Sequence, residues 1–362
     1  STPSITDHLP TMLSRIAVQW LLLATWGVQA LRRPDVSVQL HQECALDAKK
    51  VQEHLAAAKA YTSTNSSRTK AVVTYAGLNK LSYIDGAIML GRALSELNLR
   101  NTELVSLVQE PMADEHKQLL RNAGWKVVDI QPWLPEHWKQ TACGYWRDSY
   151  NIVDVWRQPY ERVLFLDADT FFWGSRLDIE ELLSNPLGPE DVKMVRDCSG
   201  SDFNAGMMVF HPSAASFEGV FNIMAQGTLV QPAVNKVYKG HVIELPARYN
   251  VHGRVNRRGG DQVNCSDVVT AHYTGLHKPA EANATNMQMV MTGESGNIFF
   301  KDRSALQCRT LYQLFFLRMR EEREYLTPEL RSVLERPEFN VTKEQVLSAA
   351  KAPRKPRAVK KA

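Results

Sequence analysis

Two aspartates follow an apolar run in the segment "VLFLDADTFF", which spans Val163 to Phe172. Side chains two residues apart in an extended chain point to the same side, so Asp167 and Asp169 are predicted to face one crevice at the end of a buried strand. Two neighbouring carboxylates repel each other unless a cation lies between them. Hard divalent cations such as Mn²⁺ or Mg²⁺ prefer oxygen ligands of this kind. A surface turn after a strand is the alternative that the pair alone leaves open.

The segments around this pair alternate between strand patterns and helix patterns. Apolar runs predict strands at 71–77, 103–109, 125–132, 162–167, 192–197, 205–211 and 268–274. Apolar residues at helical spacing predict helices at 83–97, 112–124 and about 147–156, and a long C-terminal helix after residue 304. This alternation favours an α/β fold with a mostly parallel central sheet and helices on both faces.

Two classes of enzyme carry aspartates in this arrangement. Haloacid dehalogenase-like phosphatases begin with an apolar strand and Asp-x-Asp-x-Thr, which "LFLDADT" resembles. Their later Gly-Asp-x-x-x-Asp motif has only "GDQVNCSD" (260–267) as a candidate, and its second aspartate stands at the wrong spacing. Nucleotide-sugar glycosyltransferases of the GT-A type also carry Asp-x-Asp after an apolar strand, and there the pair holds the metal that bridges the donor's diphosphate. The phosphatase is therefore the less favoured alternative.

Five further segments resemble glycosyltransferase family 8, the group that includes glycogenin, and they occur in that family's order. "FNAGMMVFHPS" (203–213) resembles its Asn-Ala/Ser-Gly-x-x-Val segment, and "HYTGLHKP" (272–279) resembles its His-Phe-x-Gly-x-x-Lys-Pro motif. "VVTY" (72–75), "GAIMLGRAL" (86–94) and "LPARYN" (245–250) resemble the first strand, the following helix and the Leu-Pro-x-x-Tyr-Asn motif. The resemblance implies a single GT-A, Rossmann-like domain.

The resemblance also implies a metal site and a diphosphate site. In the family the metal is held by the Asp-x-Asp and by the histidine of the late motif, which are Asp167, Asp169 and His272 here. Mn²⁺ accepts an imidazole nitrogen beside carboxylates and phosphates. Lys278 matches the lysine that meets the donor diphosphate, and Gly275 permits close backbone approach to a phosphate.

The remaining matches lie along the donor sugar and the nucleoside. The candidate catalytic side chains are those of Asn204 and Gln231. The candidate donor-binding residues are Ala205 and Gly206 beside the sugar, Thr74 and Tyr75 at the uracil and ribose, and Tyr83 as a stacking face. A turn at 204–206 and core packing of the two tyrosines are the alternatives.

Two positions depart from the family pattern. Val230 stands where the family usually has the acid of an Asp-Gln pair, and Asn151 or Ile152 stands where it usually has a lysine. Arg147 lies about one helical turn earlier and can supply a positive charge for a phosphate. The lost charges make a catalytically impaired family member, acting as a UDP-sugar-binding or scaffold protein, the main alternative to a working transferase.

The N-terminal segment predicts entry into the secretory pathway. Residues 16–31 contain no charged residue, which suits the core of a signal peptide or a short membrane anchor within residues 1–31. We expect a stem at 32–69, the transferase domain at 70–300 and a helical extension at 301–350, in the ER or Golgi lumen or secreted. Four N-glycosylation sequons agree with this location and begin at Asn65, Asn264, Asn283 and Asn340.

The charge distribution excludes a nucleic-acid-binding surface. The formal net charge is +4, but the last twelve residues hold six lysines and arginines, so the rest of the chain carries −2. Such a body offers no basic face. Residues 351–362 are expected to be a disordered basic tail. The expected partners are a UDP-sugar donor and a glycan, lipid or protein acceptor, with the sugar, the acceptor and the oligomeric state left open.

Overall fold

The computed structural model describes residues 70–77, 80–131, 147–197, 202–252, 263–273 and 309–336, with a few isolated positions outside these ranges. The predicted signal or anchor segment, nearly all of the predicted stem, and the basic tail lie outside the described residues. Gly275 and Lys278 also lie outside them. Among the described residues, no helix is both long and apolar enough to cross a bilayer.

In the part of the chain that the structure describes, ten strands form two sheets. They are β1 (Lys70–Tyr75), β2 (Thr102–Gln109), β3 (Lys126–Ile130), β4 (Arg162–Leu166), β5 (Thr170–Phe172), β6 (Val192–Arg196), β7 (Phe203–Phe210), β8 (Val242–Leu245), β9 (Val251–His252) and β10 (Thr270–His272). The central sheet has seven strands in the order β3-β2-β1-β4-β7-β6-β8, and a small sheet has the order β5-β10-β9. The sequence did not predict β5, β8 and β9, because strands of two to four residues are too short to show an alternating pattern.

The predicted mostly parallel sheet is confirmed, with one reversed strand. β1 pairs in parallel with β2 and β4, β2 with β3, and β6 with β8. β7 runs antiparallel between β4 and β6. The reversal brings the first residues of β7 beside the last residues of β4, so the 203–206 segment lies next to the aspartates that follow β4.

The described residues include seven α-helices, which lie between or after the strands. They are α1 (Leu81–Ser95), α2 (Asp114–Asn122), α3 (Arg176–Ser184), α4 (Ala214–Met224), α5 (Val230–Val237), α6 (Arg309–Glu321) and α7 (Pro328–Leu334). The segment predicted as a helix at about 147–156 is a 3₁₀-helix over Arg147–Arg157. Its run of aspartate, serine, asparagine and valine has a low intrinsic preference for the α-helix, which explains this difference.

Strand β4 divides the core into two apolar clusters. Leu164 and Leu166 face a cluster that includes residues of α1, α3, α6 and α7. Val163 and Phe165 face a second cluster, which includes residues of the 3₁₀-helix, α4 and α5. Successive strand residues point to opposite faces, so a strand covered on both sides is apolar at every position. The predicted helices on both faces are thereby confirmed.

The C-terminal helices are joined to α1 by buried polar contacts. Asp85 accepts hydrogen bonds from the backbone N–H of Thr327 at 2.8 Å and from its hydroxyl at 2.9 Å. Burial raises the pKa of Asp85 to about 7, although the bonds from Thr327 lower it. Arg92 also forms an ion pair with the buried Glu322 at 2.7 Å. One helix, α1, therefore contacts both the C-terminal segment and, as shown below, the aspartate turn.

Candidate active site

Three predicted metal ligands converge at the junction of the two sheets. Asp167 follows β4, Asp169 precedes β5 and His272 ends β10. His272 pairs with Thr170 across the β5–β10 ladder, so its ring lies next to the turn that holds the two aspartates. Its Nε2 lies 3.1 Å from Oδ1 of Asp169 and 3.7 Å from Oδ2 of Asp167. One ligand atom from each residue lies within 4.8 Å of the other two.

Backbone and side-chain bonds fix the turn that carries the aspartates. The backbone oxygen of Asp167 accepts from the N–H of Thr170 at 3.0 Å and from its hydroxyl at 2.7 Å. The N–H of Tyr273 donates to the oxygen of Asp169 at 2.9 Å. Gly86 of α1 lies against the turn, since a Cβ atom there would stand 2.2 Å from the oxygen of Ala168. The glycine thus lets a rigid helix support the turn directly.

The chemistry of these three side chains fits a divalent cation. Two carboxylates and an imidazole offer the oxygen and nitrogen ligands that Mn²⁺ accepts, and Mg²⁺ favours the oxygens. His272 is 5 % exposed, so the nitrogen ligand is held inside the protein. A cation among these three side chains would also relieve the repulsion between the two carboxylates.

Gly206 leaves the space that the ligands fill. A Cβ atom at this position would stand 2.1 Å from Cε1 of His272 and 2.9 Å from Oδ2 of Asp167. The N–H of Asp167 donates to the backbone oxygen of Gly206 at 2.9 Å, so the two strands are in direct contact here. A side chain at this position would therefore collide with two of the candidate metal ligands.

Two predicted catalytic amides converge on Asp197, which the sequence interpretation missed. The N–H of Ala205 donates to Oε1 of Gln231 at 3.2 Å, and Nε2 of Gln231 donates to Oδ2 of Asp197 at 3.3 Å. Nδ2 of Asn204 lies 3.5 Å from Oδ1 of the same carboxylate. His252 is buried nearby, with its Nε2 3.6 Å from Asp197. The signal in the sequence is an acid at the end of the predicted strand at 192–197, directly after β6, since Asp167 follows β4 in the same way.

Val230, at the position of the missing family acid, is the first residue of α5. It is half-buried and packs against the second apolar cluster. The neighbouring Gln231 points instead to Asp197 at the end of β6. A carboxylate is thus present beside Gln231, although it comes from another element.

Asn151 is one of the two candidates for the position of the missing family lysine, and it is buried. Its Nδ2 donates to Oε1 of Gln109 at 2.6 Å and lies 3.2 Å from the hydroxyl of Tyr75. Tyr75 also donates to Gln109 at 3.1 Å and is only 2 % exposed. The side chain of Arg147 lies outside the described residues. Tyr75 is therefore enclosed by this polar group, and its donor-binding role stays a prediction.

The other nucleoside candidates lie near the same edge of the sheet. Thr74 is fully buried in β1, and its hydroxyl has no hydrogen-bond partner among the described residues. Tyr83 is half-buried in the first turns of α1 and packs against the first apolar cluster. Their roles stay predictions, whereas Asn204, Ala205, Gly206 and Gln231 lie together beside the metal ligands.

Comparison with known families places a match over this site. The model of the family described as "Glycosyl transferase family 8" matches residues 134–283. That range includes both aspartates, the 203–206 segment and His272.

Several known proteins are similar over parts of the chain. Galactinol synthase 4 of Arabidopsis thaliana is 24% identical over 243 residues, which cover 56% of this chain and 71% of that protein. UDP-glucuronate:xylan alpha-glucuronosyltransferase 1 of Arabidopsis thaliana is 26% identical over 137 residues, or 38% of this chain and 19% of that protein. A solved structure of the galactosyltransferase LgtC with donor and acceptor sugar analogs has a TM-score of 0.45 at 15% identity, covering 58% of this chain and 88% of that one.

Proposed function

We propose that this chain, which belongs to glycosyltransferase family 8 over residues 134–283, transfers a hexose from a UDP-sugar to an acceptor with retention of anomeric configuration. The observation that carries the proposal is the convergence of Asp167, Asp169 and His272 within 4.8 Å of one another. A Mn²⁺ or Mg²⁺ ion held by these residues would supply positive charge for the donor's diphosphate as UDP leaves. Lys278 and Gly275 are proposed to meet the same diphosphate.

The residues beside the metal ligands suit recognition of sugar hydroxyls. Asn204 and Gln231 present amide groups, and Asp197 presents a carboxylate that accepts from both. Their mutual bonds fix these groups in place, and a preorganised site spends little free energy on reorganisation when the donor binds. We propose that this set orients the hexose over the metal site.

The position of Asp197 favours a working transferase over an impaired one. The alternative rests on Val230 and on Asn151 or Ile152, which stand where the family usually has charged residues. Asp197 restores a carboxylate beside Gln231, so the loss at Val230 is offset. Neither Asn151 nor Ile152 offers a positive charge, so the proposed donor binding relies on the metal ion, Lys278 and Arg147. The phosphatase alternative is disfavoured by the imidazole among the ligands and by the family match.

We also propose that the protein acts in the secretory pathway. Support comes from the uncharged segment 16–31 and from the four sequons. Of the four acceptor asparagines, Asn264 lies in the described part of the chain, and its side chain is exposed. Expression in a secreting eukaryotic cell and treatment with an N-glycosidase tests this location, and an unchanged mobility on a denaturing gel would contradict it.

The enzyme activity is tested with a panel of donors. The full chain is incubated with Mn²⁺ and UDP-glucose, UDP-galactose, UDP-N-acetylglucosamine or UDP-glucuronate, and released UDP is measured. The acceptor panel includes conditions for galactinol formation, because one relative is named for that synthesis. We expect release with at least one donor and none from the Asp167→Asn variant. Tight binding of UDP and Mn²⁺ without turnover would favour the impaired alternative, and release that is unaffected by Asp167→Asn would refute the metal-dependent transferase.

A further inference from the structure

A chain of hydrogen bonds leads from the backbone of β7 to the ring of His272. The N–H of Gly206 donates to Oδ1 of Asn204 at 2.9 Å. Nδ2 of Asn250 donates to the same oxygen at 2.9 Å. Oδ1 of Asn250 lies 3.1 Å from Nδ1 of His272. Asn250 is fully buried, and the asparagine and histidine that it joins are nearly so.

The direction of every bond in this chain follows from its first member. A backbone N–H can only donate, so the Asn204 atom that Gly206 contacts must be the oxygen. The Asn250 atom that meets that oxygen must then be its NH₂ group, and the other end of Asn250 must be an acceptor. Nδ1 of His272 therefore carries a hydrogen. A metal ion binds the neutral imidazole, which has one donor and one acceptor nitrogen, so in that form Nε2 is the acceptor.

We propose that Asn250 is a positioning residue that holds His272 in the tautomer needed to bind a metal ion. The inference rests on the proposed function, because it takes His272 as a metal ligand. Nε2 then presents a lone pair toward the carboxylates of Asp167 and Asp169, an arrangement that is favourable only with a cation between them. Histidines that bind metals are commonly held by such a partner at the second ring nitrogen.

The Asn250 amide also connects the proposed metal site to Asn204, one of the proposed sugar-binding residues. Asn204 receives both the backbone bond and the bond from Asn250 on its oxygen, which leaves its NH₂ group directed at Asp197. Rotating the Asn250 amide by half a turn would set two acceptors against each other at one end and two donors at the other. Asn250 thus fixes the histidine and the orientation of Asn204 together.

Two substitutions separate these two contacts. Asn250→Ala removes both the acceptor for His272 and the donor to Asn204. Asn250→Asp keeps an acceptor for the ring but loses the donor to Asn204. Asn235→Ala is the matched control, because Asn235 bonds the backbone of Phe203 at 2.8 Å with both ends of its amide and does not contact His272.

The measured quantity is the dissociation constant of Mn²⁺ from the full chain without donor, obtained from the electron paramagnetic resonance signal of free Mn²⁺. Thermal melting confirms that each variant is folded. Loss of an outer-shell partner commonly weakens metal binding about 10- to 100-fold. We expect that loss for Asn250→Ala and wild-type affinity for Asn250→Asp and Asn235→Ala. We expect the wild type to bind the UDP-sugar more tightly than UDP. This difference in affinity should be smaller for Asn250→Asp.

Three outcomes overturn the inference. Asn250→Ala binds Mn²⁺ as the wild type does, Asn250→Asp is as weak as Asn250→Ala, or Asn235→Ala loses affinity to the same extent. The inference can fail in these ways while the wild type still binds Mn²⁺ and releases UDP, and the proposed function then stands. A wild-type protein that binds no Mn²⁺ would overturn both the metal-dependent function and this inference.

Discussion

Gly206→Ala is expected to abolish metal binding while the fold is retained. The added Cβ atom would stand 2.1 Å from Cε1 of His272, whereas carbon atoms in contact are about 3.5 Å apart, so the ring must move by about 1.4 Å. The tolerance for a metal–ligand distance is about 0.2 Å. A misplacement of about 1 Å can cost about 100-fold in rate, so kcat/KM should fall at least about 100-fold, or about 2.7 kcal/mol.

The assay pairs Mn²⁺ binding with UDP release from the donor that the wild type uses. Gly219→Ala is the matched control, because Gly219 lies in α4 and its Cβ atom would meet only the methyl groups of Val237, at 3.3 and 3.4 Å. That variant should keep wild-type Mn²⁺ affinity. A folded Gly206→Ala protein with wild-type Mn²⁺ affinity would refute the ligand assignment.

Three further outcomes are expected. Asp197→Ala should lower kcat/KM about 100-fold through lost orientation of the sugar-side amides, with Mn²⁺ affinity unchanged in the same resonance assay. Phe315→Ala should lower the free energy of unfolding by about 3 to 5 kcal/mol in urea titrations, because this buried ring packs edge-on against Phe171 at 4.8 Å. Asp85 has a folded pKa of about 7 against an ordinary value of 3.8, so between these values the folded state binds a proton that the unfolded state lacks. The free energy of unfolding should therefore fall by roughly 2 to 3 kcal/mol from pH 5 to pH 8 in the wild type, and Asp85→Asn should lack this fall in denaturation measured at both values.

The long elements and the convergence of the three candidate metal ligands could be predicted from the sequence. Strands such as β1, β2 and β4 are covered on both faces, so their apolar runs are continuous and easily recognised. Asp167, Asp169 and His272 were predicted as one site, and their side chains do converge. The resemblance to family 8, drawn from short ordered motifs, is confirmed by the family match over residues 134–283.

The contacts that orient the site could not be predicted, because they join residues far apart in the chain. Asn250 reaches His272 and Asn204 across separations of 22 and 46 residues. The sequence suggests Asn151 as a residue that stands where the family usually has a lysine. Its burial against Tyr75 and Gln109 is a tertiary contact that no local pattern shows. Hydrogen-bonded networks of this kind depend on strand order and register, which periodicity does not specify.

An irregularity in β7 explains how the carboxylate of Asp197, directly after β6, comes to lie beside Gln231. In the β6–β7 ladder Met194 pairs with Met208, but the next residue, Val195, pairs with Asn204, so the register skips 205–207. Bulges of this kind redirect side chains and are common beside active sites. The backbone N–H groups at 205 and 206 turn instead to the amide oxygens of Gln231 and Asn204, and both NH₂ groups consequently face the carboxylate that ends β6. Two backbone N–H groups set the orientations of these amides. The contact between Gln231 and Asp197 therefore does not depend on which residue occupies position 230.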